Sequence, residues 1–90
     1  MAIGIYFHPE GMSSDNYDAV IKDLEAAGAG TPKGRSHHSA FGPKDSLMVY
    51  DVWDTQEDFD NFGMTLMPIL EKRGIDPGQP DVMVVHNIIQ

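Results

Sequence analysis

Ala2 to Phe7 is a short run of mixed apolar residues closed by Pro9 and Gly11, which predicts a short first strand. Tyr17, Val20, Ile21 and Leu24 follow at i, i+3, i+4 and i+7, the signature of one helical face. Ser13 is placed to cap that helix, and Gly28 after Ala27 to end it. Arg35 to Phe41 reads as a second strand and Ser46 to Asp54 as a third, joined by turn residues at Gly42-Pro43-Lys44-Asp45. Thr55 caps a second helix with Asp58 at the capping-box position, and Phe59, Phe62, Leu66, Ile69 and Leu70 form its apolar stripe. Pro68 predicts a kink or break near Met64 to Met67, because it lacks an N–H and crowds the carbonyl four residues back. Asp81 to Gln90 reads as a fourth strand.

The order β-α-β-β-α-β is the plan of a ferredoxin-like α+β domain. It predicts a four-stranded antiparallel sheet, one domain over residues 1–90, with both helices on one face. The strands carry a further message. Ile3, Ile5 and Phe7 share a face of the first strand, but Tyr6 lies on the other. Met48, Tyr50 and Val52 oppose Leu47, Val49 and Trp53 in the third, and Met83, Val85 and Ile89 oppose Val82, Val84 and Ile88 in the fourth. Two helices cover one face only, so the second apolar face is expected to meet a second copy, sheet to sheet. An obligate interface of that kind typically buries ~2,000 Å² or more.

Composition narrows the chemistry. The 90 residues include no cysteine, which removes disulfides, thiolate metal sites and thiol nucleophiles. Net charge is −8, from 14 acidic and 6 basic residues, so neither nucleic acid nor an anionic membrane surface is an expected partner. The N-terminus has no basic start and no apolar run of signal-peptide length, and a cytoplasmic location is expected. Gly28-Ala29-Gly30-Thr31-Pro32-Lys33-Gly34 has its third glycine one residue late for a dinucleotide loop and follows a helix instead of a strand. His8-Pro9-Glu10 stands without an HExxH motif or a carboxylate cage, so no metal site is expected.

The plan resembles the dimeric α+β barrel superfamily, and within it the small bacterial proteins similar to antibiotic-biosynthesis monooxygenases. The resemblance spans about Ile3 to Ile89. It rests on Gly11-Met12-Ser13 opening the first helix, Tyr17 on its apolar face and His38 in the second strand. Asp51-Val52-Trp53-Asp54-Thr55, Leu66-Met67-Pro68 and Val85-His86-Asn87 complete it. It implies a homodimer. It also implies a superfamily that includes cofactor-independent oxygenases, haem-degrading enzymes, lactone isomerases and proteins with no known catalysis, so fold alone does not fix function.

The residues themselves single out Asp51, a charge in mid-strand that must be paired to be buried. If the hairpin turns through Pro43-Lys44, Ser36 faces Asp51 and His38 faces Val49, which makes His38 a diagonal neighbour of Asp51 on one face. His37 points the other way, and a one-residue slip would exchange the two histidines. His86 in the fourth strand is expected to look across the same cavity, with Trp53 as a stacking platform and Tyr6 as a wall. His38 and Asp51 are therefore the candidate base, and Trp53, His86 and Tyr6 the candidate ligand contacts. The leading expectation is a dimer that binds a small hydrophobic or aromatic ligand. The alternative is a cofactor-independent monooxygenase or isomerase acting on an aromatic or polyketide-like substrate through the His/Asp base. Haem binding or degradation, with His38 or His86 as ligand, ranks below both, and no cofactor is expected.

Overall fold

The computed structural model describes every residue from Met1 to Gln90. Its elements are β1 (Ile3–Phe7), α1 (Ser14–Ala26), β2 (Arg35–Phe41), β3 (Met48–Trp53), α2 (Gln56–Lys72) and β4 (Asp81–Val84). The strands form one antiparallel sheet in the order β2-β3-β1-β4. The predicted ferredoxin-like architecture is the observed one.

The helices start where their caps dictate. Ser13 Oγ accepts the Asn16 N–H at 3.1 Å, and Thr55 Oγ1 accepts the Asp58 N–H at 3.1 Å. Gly28 and Gly74 follow the two helix ends at φ +77° and +70°, a region that favours glycine. Of the kink or break expected at Pro68, the break does not occur: α2 runs unbroken from Gln56 to Lys72. The helix loses one hydrogen bond, to the carbonyl of Met64, but Met64 is 77% exposed, so water can replace the missing donor. At the far end, Arg73 donates to both Asp23 carboxylate oxygens at 2.9 and 3.0 Å, tying the end of α2 to α1. That hydrogen bond, with the guanidinium charge, holds Asp23 below the usual carboxylate range.

The core lies between the helices and one face of the sheet. Ile3, Ile5, Phe7, Val49 and Trp53 meet Val20 and Leu24 of α1 and Phe59, Phe62 and Leu70 of α2. Phe7 and Trp53 pack against Phe59 at ring distances of 6.0 and 5.7 Å. The other face carries Gly4, Tyr6, Tyr50, Val52 and Met83. Tyr50 crosses it over Gly4, where an added Cβ would meet the phenolic oxygen at 2.9 Å.

Two sequence expectations change here. The hairpin pairs His38 with Asp51 and Ala40 with Val49, two residues away from the predicted register. The connecting loop is wider because it is tied elsewhere: Lys44 O accepts from Ser14 N at 2.7 Å, and Leu47 N donates to Met12 O at 2.8 Å. Those bonds hold the loop against the start of α1 instead of closing a tight turn. The shift is even, so His38 keeps its predicted face and moves from diagonal to direct opposition with Asp51. The fourth strand is also shorter than predicted. It ends at Val84 because β1 begins at Ile3; Val85 N adds one bond to Ala2 O at 3.0 Å, and the chain beyond has no strand beside it.

Candidate active site

The helix-side face of the hairpin assembles the polar group. Asp51 is 3% exposed in the middle of β3. Its Oδ1 lies 2.5 Å from His38 Nδ1 on the adjacent strand, and its Oδ2 lies 3.4 Å from the Trp53 indole nitrogen. The indole contact is longer than an ordinary N–H···O bond, so His38 is the principal partner. His38 Nε2 lies 2.6 Å from the Tyr17 hydroxyl of α1, and the two rings are 5.9 Å apart and nearly parallel at 5°.

This network assigns the protons. A carboxylate only accepts, so His38 Nδ1 carries the hydrogen directed at Asp51. In the neutral imidazole Nε2 is then the lone pair that accepts the Tyr17 O–H. The result is an oriented chain, Tyr17 to His38 to Asp51, in which the imidazole is held as an acceptor. A ligand reaches that imidazole through the Tyr17 hydroxyl or by displacing it.

The chain borders a cavity between the sheet and the helices. Tyr17, Arg35, His38 and Asp51 supply its polar groups; Phe7, Met12, Val49, Leu66 and other apolar side chains supply the rest. Its volume is about 50 Å³, room for a few water molecules, and it is partly open to solvent. An aromatic ring enters only if side chains yield, and Met12, Leu66 and Arg35 are the long flexible ones on the wall.

His38 and Asp51 are thus brought together as expected. Trp53 is not a platform: it is fully buried behind Asp51, packed on Phe59 and Phe62, and is absent from the cavity wall. Tyr6 and His86 line a shallow depression on the opposite face with Gly4, Tyr50 and Met83, because Tyr6 alternates away from Ile5 and Phe7 and His86 lies past the end of β4. Neither shares the cavity with His38. Tyr17 is the residue missed. Its signal was there: a phenol on the apolar face of a helix needs a buried partner for its hydroxyl, and a histidine on the facing side of the sheet supplies one. Haem does not fit these residues, since both nitrogens of His38 are engaged and the cavity is far too small for a porphyrin.

Burial lifts the Tyr17 hydroxyl above its ordinary pKa of 10.0; Arg35 opposes the rise, and Asp51 and Asp18 add to it. The folded chain therefore keeps this proton at pH values where the unfolded chain has released it. The stability linked to it is complete below the unfolded pKa and is lost as pH rises through the folded one. Wild-type stability in urea should fall relative to Tyr17→Phe as pH climbs past 10.0. A difference that stays flat into the alkaline range would contradict this.

No family sequence model matches the chain, and no curated protein sequence is similar enough to count as a relative. Solved structures do match over almost its full length. An antibiotic-biosynthesis-monooxygenase-like protein of Chloroflexus aurantiacus J-10-fl superposes with a TM-score of 0.69 at 15% identity, covering 100% of this chain and 98% of its own. SnoaB of Streptomyces nogalater, a cofactor-independent oxygenase, gives a TM-score of 0.64 at 14% identity, covering 98% of this chain and 94% of its own. A further antibiotic-biosynthesis-monooxygenase-like protein, from Caulobacter crescentus CB15, gives 0.63 at 12%, covering 98% and 91%. At such identities the likeness speaks for the backbone and not for the chemistry. The chain has the fold of the antibiotic biosynthesis monooxygenase-like proteins.

Proposed function

We propose that the cavity takes a small hydrophobic or aromatic ligand and that the Tyr17–His38–Asp51 chain removes an acidic proton from it. One observation carries the reading: a phenol, an imidazole and a buried carboxylate are linked by contacts of 2.6 and 2.5 Å on the wall of an otherwise apolar cavity. Asp51 orients His38, His38 accepts from Tyr17, and Tyr17 Oη takes the ligand's proton as its own moves to Nε2. The anion left behind has two fates. It takes a proton back at another atom, which is isomerisation. Or, at an activated methylene, it reacts with dioxygen: one oxygen atom becomes a carbonyl, and the other leaves as water with the two hydrogens. Neither route requires an organic cofactor, and SnoaB, of like fold, is a cofactor-independent oxygenase. The test is a panel of hydroquinones and enolisable aromatic ketones, followed by solvent-deuterium exchange and by oxygen uptake. Exchange above the buffer rate with at least one compound is expected; none across the panel would overturn the reading.

The same reading includes a homodimer. On the outer face Met83 is 65% exposed, and Tyr6 and Tyr50 beside it are half-buried with nothing packed over them. A second sheet laid on this face supplies the missing cover. Sedimentation should give twice the 9.9 kDa of the chain, and Met83→Asp should shift the mass toward the single chain. A lone 9.9 kDa wild-type particle at micromolar concentration would reject the pairing.

A further inference from the structure

The proton chain leaves one group on the cavity wall unused, the guanidinium of Arg35. Simple alternation along β2 would turn Arg35 outward beside His37. The register shifts between Arg35 and His37, with Ser36 as the extra residue, and Arg35 pairs with Trp53. A bulge of this kind re-aims a side chain, and here it brings Arg35 to the helix-side face with His38 and Asp51. Arg35 Cζ lies 5.7 Å from the centre of the Phe62 ring, and one N–H reaches the Gly30 carbonyl at 3.3 Å. A guanidinium has five N–H donors, so most of these are left without a protein acceptor. The ion pairs of the chain are His38–Asp51 and Arg73–Asp23, and Arg35 belongs to neither. It is the one permanent cation on a cavity whose single carboxylate is already held by His38 and Trp53.

We infer that Arg35 holds the ligand's anion, and that the ligand is a weak oxyacid, a phenol or an enolisable ketone, which enters neutral and is bound as its conjugate base with the oxyanion on the guanidinium. The inference rests on the general-base reading above and names its substrate class. Charge conservation supports it. Before proton transfer the cavity holds one cation, Arg35, and one anion, Asp51. The ligand's O–H or C–H bond then breaks, its electron pair stays on the ligand, and the proton passes to Tyr17 Oη as the Tyr17 proton forms the N–H of His38 Nε2. Two cations now face two anions, and the sum is unchanged. Without Arg35 the new anion would lie in an apolar cavity near Asp51, where an uncompensated charge is costly. A permanent carboxylate also matches the guanidinium, but it brings no proton for the chain to remove.

Para-nitrophenol is the probe, because its phenolate absorbs in the visible and its neutral form does not. Nitrobenzene is the neutral analogue and benzoate the permanent anion. Binding is read from quenching of Trp53, the only tryptophan, and ionisation from the colour. At a pH where free para-nitrophenol is mostly neutral, the wild-type protein should turn it yellow. Arg35→Gln should weaken its binding by about tenfold or more and remove the colour, leave nitrobenzene binding unchanged, and be partly rescued by Arg35→Lys. Melting curves of both variants establish that they fold. Equal colour and affinity in Arg35→Gln, with nitrobenzene still bound, would overturn the role of Arg35 alone. Failure of the wild type to bind either nitro compound would overturn the ligand cavity and this inference with it. Colour that persists in His38→Gln would overturn the proton chain while leaving Arg35 in place. Arg35-dependent benzoate binding tighter than that of the phenol would replace the weak acid by a permanent anion and overturn the class named here.

Discussion

Trp53→Ala is expected to remove a large part of the stability of this domain. Trp53 is the largest fully buried side chain, with no exposed surface, and it contacts Phe59 and Phe62 at ring distances of 5.7 and 5.2 Å. Truncating a buried tryptophan costs about 3–5 kcal/mol, the transfer energy of the ring plus the cavity left behind. A domain of this size has roughly 5–13 kcal/mol in total. The loss should appear in urea unfolding followed by circular dichroism, as a midpoint moved far toward zero with little change in slope. Trp53→Phe separates two roles of the residue. It keeps an aromatic ring on α2 but drops the indole N–H near Asp51 Oδ2, a contact of 3.4 Å. Because His38 remains on the other carboxylate oxygen, the phenylalanine variant should lose much less than the alanine variant. Equal losses would show that the indole N–H, and not the packed ring, is what the fold depends on.

The residues that were legible in the sequence are those whose reasons are local. Ser13 and Thr55 were found because a capping hydroxyl serves a donor three residues on, whatever the rest of the chain does. The inward face of β3 was found because a two-residue period survives any even change of register. That is why the sequence places His38 and Asp51 on one face, as diagonal neighbours instead of direct partners, although its hairpin closes two residues too tightly. The loop width was not legible, since it depends on bonds from Met12 and Ser14 to a segment about 30 residues away. The position of Arg35 was hidden for a sharper reason. A bulge adds one residue to the count, and nothing in Arg35-Ser36-His37 distinguishes a bulged from a regular strand. His86 lies away from the cavity because β1 begins at Ile3 and pairs β4 only as far as Val84, a limit that the pattern from Asp81 to Gln90 does not carry. Tyr17 was placed on the right face of the right helix; only its partner across the cavity was missing.

Single substitutions along the proton chain should abolish proton removal without unfolding the protein, and they should do so unequally. His38→Ala takes away the acceptor and should lower the exchange rate with any responsive panel compound by about 10²–10⁴-fold, the usual contribution of a positioned base. Tyr17→Phe removes one hydroxyl and leaves the ring stacked on His38. It interrupts the path to Nε2, which lies 2.6 Å from that hydroxyl, so the rate should fall nearly as far at little structural cost. Asp51→Asn acts through the tautomer. An amide nitrogen facing Nδ1 would place the imidazole hydrogen on Nε2, and the Tyr17 O–H would then meet a donor instead of a lone pair. Asp51→Ala is different again, because it leaves the His38 N–H and the Trp53 N–H without an acceptor in a buried place, at about 1–3 kcal/mol of stability. The decisive comparison is the double variant Tyr17→Phe with His38→Ala. If the two residues act as one relay, the second change should add almost nothing to the first, since groups that work as a unit are strongly non-additive. Rate losses that multiply would mean that each residue touches the ligand independently. The short contact between them would then be a packing feature, and the general base would have to be sought in His38 alone.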